Sequence, residues 1–202
     1  MRKSKAKKKI LQVADEMFRR VGYAGFNVNE IAHDAEVSIG TLYYHFPKGK
    51  ISLLMEIRRR IGDHYVKRFA ERLDTERLWQ TASLDEGLEL LFETLIEIHR
   101  EERLVLAAIE SEVLSNLAAY DRVAESIRVE DMMKSDAEPV TRVLETLLER
   151  HPEGGISLIG REARVNKVID VLMHRFVYVE STFGSEPEFI DMMIKMVRAL
   201  LT

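Results

Sequence analysis

The chain contains no cysteine, which excludes disulfides and thiolate metal sites and fits a reducing compartment. Its longest apolar runs fall far short of the ~20 residues a membrane helix needs. The N-terminus is basic and lacks the apolar stretch of a secretory signal, so a cytoplasmic chain with no membrane attachment is expected. Catalytic patterns are missing as well. None of the histidines His33, His45, His64, His99, His151 and His174 stands in a His-Glu-x-x-His arrangement, and there is no Gly-rich phosphate loop or Gly-x-Ser-x-Gly elbow. No catalytic residue, metal ligand or cofactor is expected. Acidic pairs such as Glu101 with Glu102, or Glu110 with Glu112, read most simply as solvated helix faces.

What is present is an uneven charge. The formal net charge is −4, but residues 1–60 hold 13 Lys and Arg against 6 Asp and Glu, a balance of +7. The remaining residues hold 17 against 28, a balance of −11. Such asymmetry fits one end that meets a polyanion and another that does not. A basic tail at Arg2–Lys9 supplies part of it, and charges clustered on solvated faces would give the same count. With 202 residues the chain is long enough to bury a substantial core.

The stretch Asn27–Lys50, NVNEIAHDAEVSIGTLYYHFPKGK, reads as two short helices joined by a tight turn. Asn27 is an N-cap, with Glu30 at the capping-box position. Val28, Ile31, Ala32 and Ala35 follow at helical spacing. Glu36 and Val37 interrupt the pattern, and Ser38 caps a second helix whose inner residues are Leu42 and Phe46, closed by Pro47. This is the geometry of a helix-turn-helix. The outward residues Ser38, Ile39, Gly40, Thr41, Tyr43, Tyr44 and His45, with Lys48 and Lys50 following, suit a major groove. A plain helical hairpin with a solvated tyrosine face has the same pattern.

The run resembles the N-terminal domain of TetR-family transcriptional regulators. The likeness reaches upstream to Ile10, Ala14, Phe18, Gly22 and Tyr23, and includes Ala-x-Val-Ser and Gly-Thr-Leu-Tyr-x-x-Phe-Pro. Glu36 departs from it, standing where the family usually has glycine in the turn and where a left-handed backbone is expected. The resemblance implies that Asn27, Ser38, Ile39, Gly40, Thr41, Tyr43, Tyr44, His45 and Lys50 contact double-stranded operator DNA. Tyr43 and Lys50 would hold phosphate, while Ile39, Gly40, Thr41 and Tyr44 would lie nearer base edges. The expected fold is all-α, with a three-helix domain at residues 1–50 and a larger helical ligand-binding and dimerisation domain at 51–202, about nine helices in all.

Periodicity places the first helix at Lys5–Val21, ended by Gly22, and a fourth over residues 51–73. Ser83 and Glu86 cap a stripe of Leu84, Leu88, Leu91, Phe92, Leu95 and Ile98. A charged break at His99–Arg103 then leads to a further helix carrying Leu104, Ala108, Ile109, Val113 and Leu117. A helix is also expected within Tyr120–Asp136. Pro139 starts or kinks the next, and His151–Gly160 is a loop. The last helices cover Val165–Phe183 and, from the Ser185 and Glu188 capping box, the C-terminus. The last carries two apolar stripes, one of Phe189, Met193, Met196 and Leu200 and one of Ile190, Ile194, Val197 and Leu201. One stripe is expected to face the chain's own core and the other a second subunit, although a terminal helix sunk in a single core reads the same way. The resemblance favours a homodimer through the last two helices.

The resemblance also implies an effector pocket among the C-terminal helices. Trp79, Phe92, Leu95, Ile109, Met132, Met133, Met173, Phe176 and Tyr178 are the candidate lining, soft and aromatic enough for an apolar small molecule. Arg142, Arg164 or Arg175 would receive an anionic head group. Each of these residues alone reads equally as plain core. The function expected is a repressor released from a palindromic operator by an apolar effector. A helical interaction module for another polyanion and an unrecognised helical enzyme stand as alternatives.

Overall fold

The computed structural model describes residues 2–22, 25–115, 129–179 and 183–202, with side chains described at 5–22, 25–107, 138–179 and 183–202. Among these the chain is helical and without strands: α1 (Arg2–Val21), α2 (Val28–Asp34), α3 (Ile39–His45), α4 (Lys50–Arg72), α5 (Thr75–Trp79), α6 (Leu84–Ser115), α7 (Val129–Arg150), α8 (Glu162–Val179) and α9 (Glu186–Leu201). The all-α expectation holds. By compactness the chain divides into residues 1–62 with 104–132, and residues 63–103 with 133–202. The helices α4, α6 and α7 contribute residues to both units.

In the first unit, α1 begins three residues earlier than its apolar periodicity suggests, because lysines need no buried face to be helical. It ends at Gly22, whose positive φ of 65° is the left-handed geometry glycine adopts without strain. The core joins Ile10, Ala14 and Phe18 of α1 to Ile31 of α2, Leu42 of α3 and Leu53, Leu54 and Ile57 of α4. Phe26 packs edge-on to Phe18, with ring centroids 5.4 Å apart.

In the second unit, the stripe from Leu84 to Ile98 is buried as its spacing requires. The break expected at His99–Arg103 is absent, and α6 runs unbroken through it for 32 residues. Charged residues are good helix formers, and this segment has no glycine or proline to stop it. His99 is itself buried, with its Nδ1 2.7 Å from the Leu95 carbonyl oxygen. Helix α7 likewise passes through Pro139. The helix expected within Tyr120–Asp136 lies largely outside the described residues.

Gly184, at φ 79°, leads into α9, and the capping box forms there: the Ser185 N–H donates to the Glu188 carboxylate at 2.7 Å. The two stripes of α9 do not divide between core and surface as their spacing suggests. Phe189 and Met193 of the first stripe and Ile190, Val197 and Leu201 of the second are all buried in the chain's own core. The half-buried remainder of the stripes is Ile194, Met196 and Leu200, and Met192 beside them is half-buried too. On α8, Val171 is 50% exposed and Val179 is also exposed.

Candidate nucleic-acid interface

The site is built by two caps and a turn. Asn27 caps α2 by accepting the Asn29 N–H at 2.9 Å, and its own amide reaches Glu30 at 3.3 Å. Ser38 caps α3 by accepting the Thr41 N–H at 3.0 Å, and the two hydroxyls lie 2.9 Å apart. Between the helices, Glu36 takes a φ of 54°, the left-handed turn expected there. Lys9 of α1 reaches across to its carboxylate at 2.5 Å, a contact 27 residues apart in sequence that no local pattern signals.

Helix α3 is two-faced. Leu42 is fully buried and the adjoining Phe46 nearly so, which fixes the rotation of the helix. Ser38, Ile39, Gly40, Tyr43 and Tyr44 are exposed, Tyr44 at 64%. Thr41, His45 and Lys50 are half-buried, and Asn27 is exposed. Tyr44 meets His45 edge-on with centroids 5.1 Å apart. The Lys50 ammonium lies 5.9 Å from the centre of the Phe26 ring.

Two supports escaped the sequence reading. Gly49 has a φ of 56°, which disfavours a side chain, and a Cβ there would stand 3.2 Å from the Tyr43 ring and push it a few tenths of an ångström off the turn. Ser52 accepts the Lys48 N–H at 3.1 Å and secures the entry to α4. A serine four residues beyond the lysine was the available signal for the second.

The candidate effector residues separate. Phe92, Leu95, Met173 and Phe176 are buried in one cluster, with Tyr178 half-buried against it. Trp79 stands apart at 49% exposure, with the Arg150 guanidinium 5.9 Å from its ring centre and Arg150 Nε donating to its carbonyl at 2.9 Å. Ile109, Met132 and Met133 lie outside the residues whose side chains are described. Arg142, Arg164 and Arg175 are exposed and do not converge on the buried group.

Among the described residues, three carboxyls are held below their ordinary value of 4.5. Glu36 is lowered by the hydrogen bond and charge of Lys9, and Glu188 by the backbone and hydroxyl of Ser185. Burial alone would raise Glu56, but hydrogen bonds and charge from Arg59 and Lys7 outweigh it. Each therefore adds stability that is present above pH 4.5 and lost as the pH falls through the lower folded value. Thermal midpoints should drop on acidification to about pH 3, and by less in a Glu36→Gln, Glu56→Gln, Glu188→Gln triple variant. Equal drops in both proteins would refute this.

A buried-core unit that presents a capped second helix across a tight turn defines the helix-turn-helix class. Residues 10–57 match the family model of bacterial regulatory proteins, tetR family. Over these residues the chain is similar to the TetR family of regulatory proteins. It is 34% identical over 116 residues to the HTH-type transcriptional repressor KstR2 of Mycolicibacterium smegmatis, covering 56% of this chain and 54% of that one. It is 32% identical over 69 residues to the HTH-type transcriptional regulator LmrA of Bacillus subtilis, covering 34% and 37%. The chain thus spans between about a third and about half the length of these curated relatives. In fold it is similar to a TetR-family transcriptional regulator of Mesorhizobium loti, with a TM-score of 0.66 at 21% identity, covering 100% of this chain and 97% of that one.

Proposed function

We propose that the protein is a cytoplasmic transcriptional repressor, not an enzyme, that binds a palindromic DNA operator as a homodimer and leaves it when an apolar small molecule binds. The observation that carries this reading is the exposed polar and aromatic face of α3, held outward by buried Leu42 and Phe46 within the basic end of the chain. A relative named as a transcriptional repressor supports the sign of the effect. In this reading residues 1–50 read DNA and residues 51–202 sense and pair. Asn27, Ser38, Thr41, Tyr43, His45 and Lys50 contact the DNA, with Tyr43 and Lys50 on phosphate and Ile39, Gly40, Thr41 and Tyr44 nearer base edges.

Apolar surface left over on the last two helices, at Val171, Val179 and Ile194, supports pairing there. A dimer sets its two α3 helices about 34–36 Å apart, one turn of DNA. The effector would settle within the second unit, among Phe92, Met173 and Phe176. It must bind the released state more tightly than the DNA-bound one, since equal affinities would shift nothing.

Gel shifts over a salt series test the reading. The wild type should prefer a palindrome over its half-site and over random duplex. Lys50→Ala should weaken all sequences alike and shallow the salt slope by about one unit. Thr41→Ala or Tyr44→Ala should instead change the order of preference among sequences. Variants of both kinds that bind every duplex as the wild type does would overturn the assignment.

A further inference from the structure

Beside α3 a groove of about 460 Å³ is lined by Lys7, Lys8 and Leu11 of α1, Tyr44 and His45 of α3, and Glu56 and Arg60 of α4. Three cations from two helices converge on it. The one carboxylate, Glu56, already receives Lys7 at 3.3 Å and Arg59 at 3.1 Å. Lys8 and Arg60 have no acidic partner among the described residues. The lining is mixed: the exposed Tyr44 ring stands beside the cations, while Leu11 is almost wholly covered by the core. An oxyanion would meet several N–H donors there. The groove is also continuous with the face described above, since Tyr44 and His45 belong to both.

We infer that this groove holds backbone phosphates of the duplex just outside the segment read by α3, with Lys8 and Arg60 as the contacts. Glu56 is the internal rival of those phosphates: its carboxylate occupies Lys7 and repels an incoming anion. Lys7 is released to the DNA only where the duplex extends far enough to compete. The inference rests on the DNA-binding reading and adds a dependence on flanking length that the reading itself does not contain.

The test compares the wild type, a Lys8→Ala/Arg60→Ala variant and Glu56→Gln on two duplexes with the same centre, one trimmed and one carrying extra flanking pairs. On the long duplex the double variant should shallow the salt slope by about two units and lose about fivefold in affinity per contact at 0.15 M salt. On the trimmed duplex it should match the wild type. Glu56→Gln, which keeps the shape of the side chain, should tighten binding to the long duplex only. Wild-type behaviour of both variants on the long duplex overturns the inference and leaves the DNA reading standing. Equal losses on both duplexes also overturn it. Failure of the wild type to bind any duplex removes the reading itself.

Discussion

Phe189→Ala should destabilise the protein by about 3–5 kcal/mol, the range for emptying an aromatic site in a closed core. Phe189 opens the core face of α9 and is fully buried. Its ring lies parallel to that of Phe176, with centroids 4.0 Å apart and planes inclined by 3°. Phe183 lies 5.6 Å away, and the Arg100 guanidinium stands 5.9 Å from the Phe176 ring centre. With Met193 and Val197 also fully buried on the same helix, the walls have little freedom to collapse into the space. Small domains are stable by only about 5–15 kcal/mol, so the loss is a large share of the whole. A urea titration followed at the single tryptophan, Trp79, measures it. A change below about 1 kcal/mol would show that the stack is not what holds α9.

Gly87→Ala should also destabilise, against the usual direction for a helix. In an exposed helix the change gains roughly 1 kcal/mol, because glycine is the poorer helix former. Here a Cβ would fall 2.2 Å from Leu147 Cδ2 and 3.1 Å from its Cδ1. Leu147 is fully buried, so its side chain has no solvent to swing into. Overpacking of this kind costs about 1–3 kcal/mol, enough to reverse the propensity gain. Leu147→Ala alone should cost about 2–5 kcal/mol, and adding Gly87→Ala to it should cost nothing further or restore some stability. The double-mutant cycle is the measurement. Strict additivity of the two changes would sink the packing argument.

The parts of the fold legible in the sequence are those set by neighbours along the chain. The caps at Asn27, Ser38 and Ser185, the glycine stop at Gly22, and the inward pair Leu42 and Phe46 each depend on residues within a turn or two. What escaped is set by distant partners. His99 looked like part of a charged break, yet its ring packs against Tyr65 at 5.8 Å and His174 at 5.3 Å, and burial makes it a core residue. Trp79 looked like an interior aromatic, but it is 49% exposed, with Arg150, 71 residues on, over its ring and bonded to its carbonyl. The stripes of α9 were visible, but their division was not, because periodicity gives the apolar arc and not the direction of the neighbours. For the candidate site the residue types on α3 were readable. The Gly49 support beneath Tyr43 and the Lys9 contact on Glu36 needed the chain folded.

The two hydroxyls at the start of α3 carry a consequence for what a base edge would find there. Ser38 and Thr41 together own two hydroxyl protons and four lone pairs. One lone pair takes the Thr41 amide, and one proton and a second lone pair are consumed between the oxygens. Whichever hydroxyl donates, a single proton and two lone pairs remain for anything outside. The pair therefore behaves as one reversible group: turning both rotors moves the outward donor from one residue to the other without breaking the cap. On the proposed operator it could donate to one acceptor such as a guanine O6 or thymine O4, or accept a hydrogen bond from an adenine or cytosine amine, but it could not donate to two bases at once. Alanine at either position would end that exchange and leave the survivor with a fixed count of its own.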